Sequence, residues 1–374
     1  MFQFFTALRD TLKAVFTDSA VLLILVIAPA VYAFYYPMPY SNEIVHRLPV
    51  AIVDHAQDSL SRKLIRMTSA APAIKVQVVN DEQQARQQLL NNQVMALMVI
   101  PADLKRNVTI GKTGTVNMIG NGGYFLASKS AQQAMAGAIL TVSAGIEIKR
   151  LTPLGQGDER MNAIRDPVPL RTQLLHNPNE GYSSYVVPAV AWLILQQTLL
   201  IGCALLISTW WEKGKAYASP TVWVGRLSAI SVIHYLVCLG YTGLMFSFWG
   251  YESGANPWGN LLLIAIFSPC VASLGCLLGL LIKDREQTMQ ILIFTALPMY
   301  FVSGFSWPTQ SLPEFLQYLR WVLPSTSAIQ AGISFNQLGG TVLDNRQYLI
   351  ALTSIASVSL ALLFWFGRKK HKTA

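Results

Sequence analysis

The spacing of charge along the chain limits its fold more than any motif does. Seven stretches contain no Asp, Glu, Lys or Arg: 19–42, 181–211, 227–251, 253–282, 287–313, 321–343 and 347–367. Each is long enough to cross a hydrocarbon core of ~30 Å, which takes ~20 helical residues. Six are rich in Leu, Ile, Val, Phe and Ala. The seventh, 321–343, holds Pro324, Ser325, Thr326, Ser327, Gln330, Asn336, Gln337, Gly339 and Gly340, and reads as uncharged loop and short interfacial helices. The sequence therefore predicts an α-helical integral membrane protein with six transmembrane helices. They lie over about Ala20–Tyr36, Tyr185–Trp210, Leu227–Phe248, Leu261–Ile282, Ile291–Trp307 and Tyr348–Phe366.

An even number of crossings puts both termini on one side. Short loops on the cytoplasmic side carry the excess of Lys and Arg. With the termini inside, the inner segments hold Arg9, Lys13, Lys213, Lys215, Arg226, Lys283, Arg285, Arg368, Lys369, Lys370 and Lys372, whereas the short outer segments hold Arg320 and Arg346. The net charge of +9 is thus mostly a topology signal and requires no nucleic-acid partner. Trp210, Trp211 and Trp223 flank the inner loop, and Trp249, Trp258 and Trp307 mark the other face, as an aromatic belt would.

Composition explains the rest of the layout. Charged residues make up 13% of the chain, about half the ~25% of soluble domains, while the apolar share is little raised. The balance fits a membrane protein with one sizeable water-exposed domain. That domain is the segment 41–184, which has 15 Lys/Arg and 11 Asp/Glu and follows the first span, hence lies outside. Strand-like runs at Leu48–Asp54, Ile74–Val79, Val94–Ile100 and Thr115–Ile119 alternate with helical periodicity at Ser59–Ser69, Glu82–Gln93 and about Tyr124–Lys149. This alternation predicts a compact α/β extracytoplasmic domain. The tract 151–180, rich in Pro, Gly, Asn and charge, reads as loop.

The first apolar stretch invites a signal-peptide reading, with Val31-Tyr32-Ala33 as a tolerable cleavage site. But 18 residues of mixed charge precede it (Arg9, Asp10, Lys13, Asp18), not a short basic region, so a retained span is expected. Cleavage would leave five spans.

Catalytic chemistry finds no foothold. Gly111-Lys112-Thr113 lacks the earlier glycine of a phosphate loop, since position 106 is Arg106. Gly120-Asn121-Gly122-Gly123 breaks the dinucleotide pattern. His46, His55, His176, His234 and His371 do not cluster, and Cys203, Cys238, Cys270 and Cys276 all fall inside spans without ligand spacing. No enzyme activity is expected, and no bound cofactor or metal.

No Asp, Glu, Lys or Arg lies within any span core, which counts against an ion-coupled antiporter. Gln196, Gln197 and Thr198 sit mid-span in the second helix. Adjacent helical positions point ~100° apart, so both glutamines cannot face lipid cheaply; they either pack between helices or line a cavity. His234 reads as a satisfied packing residue. Pro298 and Gly304 interrupt the fifth span. The chain after it (Phe315, Leu316, Leu319, Trp321, Val322, Leu323) suggests a re-entrant segment over about 308–347, either a gate or a packed cap. Phe2, Phe5, Leu8, Leu12, Val15 and Phe16 recur at helical spacing, an amphipathic cytoplasmic surface helix over 1–18.

One stretch resembles a known family. Pro298, Phe301, Ser303-Gly304, Pro308, Leu312-Pro313, Leu323-Pro324 and Ser325-Thr326, with Asn177-Pro178 and Tyr185-Val186-Val187-Pro188-Ala189 at the entry to span 2, look like the motifs of permease subunits of type 2 ABC exporters. The pattern matched is "P…F.SG…P…LP…LP.T"; here Ser325 separates Pro324 from Thr326. The resemblance covers nearly the whole chain, as surface helix 1–18, transmembrane helix 19–40, outer domain 41–184 and a second membrane part 185–374 with a basic tail. It implies a permease of the bacterial inner membrane that works as a homodimer or heterodimer. ATP and Mg would be bound by a separate cytoplasmic ATPase, and a periplasmic adaptor and outer-membrane channel could join. Drug-like or lipid-like efflux by alternating access is the implied function. The implied substrate path includes Gln196, Gln197, Pro298, Phe301, Ser303 and Gly304; the implied ATPase-coupling loop includes Lys213, Lys215 and Arg226. Two other classes stand as alternatives: an envelope receptor or organising protein with permease-like architecture, and a membrane-embedded enzyme, which the lack of paired acids or nucleophiles opposes.

Overall fold

The computed structural model describes residues 1–41, 46–151, 176–177 and 180–368. The loop expected at 151–180 therefore lies almost wholly outside the described residues, as do Pro178 and the basic tail beyond Arg368. The chain forms two compact units, Met1–Glu43 with Leu174–Ala374, and Ile44–Gln173 inserted between them.

The chain opens with α1 (Phe2–Thr17). Its buried side is Ala7, Thr11 and Val15, while Phe2, Phe5 and Phe16 are exposed. The expected apolar stripe is therefore two faces: small residues approach the bundle and large aromatics stay outside it. Asp18 then caps α2 (Ser19–Leu22) by accepting the Ala20 and Val21 N–H groups at 3.1 and 3.2 Å. A π-helical turn, Leu23–Ile27, leads into α3 (Ala28–Tyr35). Pro29 has no N–H to continue the regular ladder, which accounts for the turn at this point. Ser19–Tyr40 as a whole is apolar and long enough to span.

The inserted unit alternates β1 (Leu48–Asp54), α4 (Ser59–Ser69), β2 (Ile74–Val79), α5 (Glu82–Leu90), β3 (Ala96–Ile100), α6 (Leu104–Thr109), β4 (Asn117–Gly120) and α7 (Phe125–Leu151). The sheet order is β2-β1-β3-β4, with β1 parallel to β2 and β3, and β4 antiparallel to β3. The central strands β1 and β3 are buried on both faces, which is why they read as unbroken apolar runs. One face packs Val50, Ile52, Met98 and Ile100 against Leu64 of α4 and Met135 of α7; the other packs Ala51, Val53, Leu97 and Val99 against Ala85 and Leu89 of α5. Several bounds differ from the sequence expectation, with β3 starting at Ala96 and β4 covering Asn117–Gly120. The helix at 82 stops at Leu90, and α6 had no periodic signal.

In the larger unit follow α8 (Tyr182–Glu212) and α9 (Pro220–Leu239), which continues through a π-helical turn, Gly240–Met245, into α10 (Phe246–Trp249). Then come α11 (Pro257–Ile282), α12 (Arg285–Val302), α13 (Glu314–Leu319), α14 (Pro324–Ile333) and α15 (Arg346–Phe366). Buried along nearly its whole length, α8 is the hub of this unit. α11 lies against it closely because Gly275 and Gly279 offer no side chain; a Cβ at Gly279 would meet the Ala204 carbonyl oxygen at 2.7 Å. All four cysteines are free and buried.

Among the described residues, five helical segments are long and apolar enough to cross a membrane: Ser19–Tyr40, Tyr182–Glu212, Pro220–Trp249, Pro257–Ile282 and Arg346–Phe366. The expected span Ile291–Trp307 is not among them. α12 starts earlier, with the polar turn Arg285, Glu286, Gln287 and Thr288, and stops at Val302. The stretch 321–343 forms the short helix α14, and Ser325, Thr326, Ser327, Ala328 and Ile329 on it are buried within the unit. By contrast, α13 keeps Phe315 and Tyr318 exposed.

Candidate functional site

Two regions of the larger unit collect the functional candidates: the seam between α8 and α12, and the loop joining α8 to α9. At the seam, the Gln196 and Gln197 amides both donate from Nε2 to Met299 Sδ, at 3.3 and 3.4 Å. The glutamines are 1% and 7% exposed. Their Oε1 atoms have no hydrogen-bond partner among the described residues. A thioether is a weak acceptor, so two buried amides are left far from satisfied, in a position where polar groups are normally paired.

The other implied path residues separate by role. Ser303 and Gly304 end α12. Ser303 Oγ donates to the Tyr300 carbonyl at 2.6 Å, and the Ser303 carbonyl accepts Gln330 Nε2 from α14 at 3.3 Å. Gly304 has φ +76°, the left-handed cap that stops a helix. Pro298 is exposed, and Phe301 is 53% exposed. These two lie on the flank of α12 away from the glutamines, and the residue that meets Gln196 and Gln197 is Met299. Nothing in the sequence singles it out.

His234 is held inside the bundle. A carbonyl can only accept, so Nε2 carries the proton and donates to the Leu195 oxygen at 3.1 Å; in the neutral ring Nδ1 then accepts from the Ser268 hydroxyl at 2.9 Å. A second buried network joins Asn336, Asn260 and Thr242, with amide donors at 3.0 Å in both links.

The loop between α8 and α9 is built by Arg226. Its guanidinium donates to the carbonyls of Ala216 at 2.9 Å and Lys215 at 2.8 Å, and stacks over Trp210 and Trp223. Arg226 therefore shapes the loop, while Lys213 and Lys215 stay exposed. The Trp223 indole and the Ala218 N–H both donate to the Gly367 carbonyl, tying the loop to the end of α15. Between this loop and α1 lies an open groove of about 900 Å³, lined by Gln3, Asp10, Lys13, Lys213, Lys215 and Arg226 among others. α1 is seated by Gly225, where a Cβ would meet the Phe4 carbonyl oxygen at 2.7 Å.

Beside the groove is a node that sequence reading missed. Arg285, at the start of α12, bonds Asp18 at 3.0 Å and the Thr209 hydroxyl at 2.8 Å. It joins the first residues of the first span, the end of α8 and α12. Burial pushes the Asp18 carboxyl up, but Arg285 and the Val21 and Ala20 N–H groups outweigh this and hold it below the usual carboxylate range. Among the described residues no group of three or more His, Cys, Asp or Glu stands close enough to hold a metal ion.

A bundle of long apolar helices around a buried polar seam, with a basic loop and surface helix at one end, defines a membrane permease. Residues 20–367 match the ABC-2 family transporter proteins, and the chain belongs to that family. It is similar to "Probable multidrug ABC transporter permease YbhR" of Escherichia coli (strain K12), 22% identical over 340 residues, or 86% of each chain. It is likewise similar to "Probable multidrug ABC transporter permease YbhS" of the same strain, 18% identical over 372 residues, or 96% of this chain and 94% of that one.

Proposed function

We propose that this chain is the permease of an ATP-driven exporter whose ATP and Mg are bound by a separate cytoplasmic ATPase. The observation that carries this reading is the groove between α1 and the loop bearing Lys213 and Lys215, a basic handle on the hub helix α8 in a chain of the ABC-2 family. The permease sits in the bacterial inner membrane with both termini cytoplasmic and the unit 44–173 on the outer side. Lys213, Lys283 and Arg285 then share the inner face, and α12, extended by its flanking turns, makes the sixth crossing. Two such permeases, identical or sister chains, pair around the ATPase dimer. Closure of the motor pulls the loop and α1 and reorients the α8–α12 seam, so that a drug-like or lipid-like substrate is released outward by alternating access. A periplasmic adaptor and an outer-membrane channel complete the export route.

The test is purification of the tagged full chain from mild detergent. A Walker-motif ATPase is expected to copurify, and Lys213→Glu with Lys215→Glu to weaken that pairing. Unchanged copurification and transport by a chain lacking residues 212–220 would overturn the reading, as would ATP turnover by the purified chain alone.

A further inference from the structure

At the end of the bundle remote from the basic loop, aromatic rings converge from three separate segments. Tyr36 and Tyr40 end the first span; Tyr182 and Tyr185 open α8; Tyr300 lies in the last turn of α12 and Phe305 just beyond it. Ring centroids lie 5.7 Å apart for Tyr36–Tyr40, 5.5 Å for Tyr40–Tyr182, 4.4 Å for Tyr185–Phe305 and 6.4 Å for Tyr300–Phe305. The contacts form two sets, Tyr36–Tyr40–Tyr182 and Tyr185–Phe305–Tyr300, and Tyr182 and Tyr185, three residues apart on α8, set them side by side.

We propose that this cluster is a binding site for lipophilic organic cations. Tyrosine faces carry negative charge density and attract cations within about 6 Å of the ring. Elsewhere in the chain protein cations already occupy such faces: Arg226 over Trp210, Lys283 over Trp211 and Arg320 over Trp321. Among the described residues no protein cation sits over any of these six rings. Tyr182 and Tyr185 are 38% and 47% exposed, so both side chains can be reached from outside, with one face of Tyr185 stacked on Phe305. An interfacial tyrosine belt would set rings singly against lipid; here they face one another.

The seam leading to the cluster has the same preference. The α8 positions 185 and 196 differ by eleven residues, about three turns, and so lie on one face of the helix. The unsatisfied Gln196 and Gln197 Oε1 atoms are acceptors without fixed charge. Carbonyl dipoles, a thioether and π faces suit a cation with an apolar body, while the amide and phenol donors and the Arg320 guanidinium beside Gly304 are what an anion would use, so charge selectivity is the property to test. The site's place in transport rests on the exporter reading above; binding itself does not.

The test uses the purified full chain in neutral detergent with two probes of one shape and opposite charge, tetraphenylphosphonium and tetraphenylborate. Saturable binding of the phosphonium alone is expected. Tyr182→Leu and Tyr300→Leu should each weaken it about tenfold, whereas Tyr182→Phe and Tyr300→Phe, which keep the ring, should stay within about threefold. Gel filtration checks that each variant stays folded, and the Phe variants keep the test decisive if a Leu variant does not. Saturable binding of the borate with equal affinity, unchanged binding by the Leu variants, a tenfold loss in the Phe variants, or no saturable phosphonium binding by the parent chain would each overturn the proposal. A chain that binds the cation but no ATPase refutes the exporter reading alone; one that pairs with an ATPase and ignores the cation refutes this site alone.

Discussion

Single residues set the tension in the bundle. A buried polar group left without a partner costs about 1–3 kcal/mol, and the Oε1 atoms of Gln196 and Gln197 are two such groups. Gln196→Leu should therefore leave the apparent melting temperature in detergent unchanged or raise it, while lowering export by the reconstituted complex. A fall in melting temperature would show that the amide is fully satisfied in the working protein. Asp18 has two separable roles, charge partner of Arg285 and cap of α2. Asp18→Asn keeps a capping oxygen and removes the charge; Asp18→Ala removes both and should melt lower by a further ~1 kcal/mol equivalent. Because the Asp18 carboxyl is held below its ordinary value of 3.8, the charged pair contributes its stability above that pH and loses it only as pH falls through the lowered value. Thermal melts of the parent chain and Asp18→Asn should thus keep a constant gap from neutral pH to about pH 5, and converge only in stronger acid.

Among the elements, α1 packs most closely on α9, and its seat depends on small side chains. It is held through small residues and a single glycine on α9, so Gly225→Val pushes a side chain into the Phe4 carbonyl. Overpacking of this kind costs about 1–3 kcal/mol. The expected outcome is faster proteolysis within residues 2–17 and weaker ATPase copurification, with the spans still inserted. Normal protease resistance would mean that α1 seats elsewhere. α12 makes a related point. Its proline and its Ser-Gly ending were legible in sequence as an interruption, but which side of it meets α8 was not. Met299 faces the glutamines and Phe301 does not, because the packing of two helices, not the motif, decides which of three successive residues points inward.

The whole molecule joins a helical bundle to an α/β unit with its own two-sided core. Residues 44–173 expressed alone should fold in water and melt cooperatively. A molten, aggregating fragment would show that this core needs the rest of the chain.

The one-dimensional record of charge and hydropathy determined the membrane class, five of the segments able to span, and the alternation of strand and helix between residues 48 and 149. These depend on burial averaged over neighbouring residues, which local composition encodes. The basic loop at Lys213 and Lys215 was legible for the same reason, as charge set between two apolar runs. The Asp18–Arg285–Thr209 node, the shared thioether of Gln196 and Gln197, and the meeting of tyrosines from positions 36 to 300 were decided by tertiary structure alone. Each joins side chains far apart in sequence, and a contact of that kind exists only once helices have packed and fixed which faces touch.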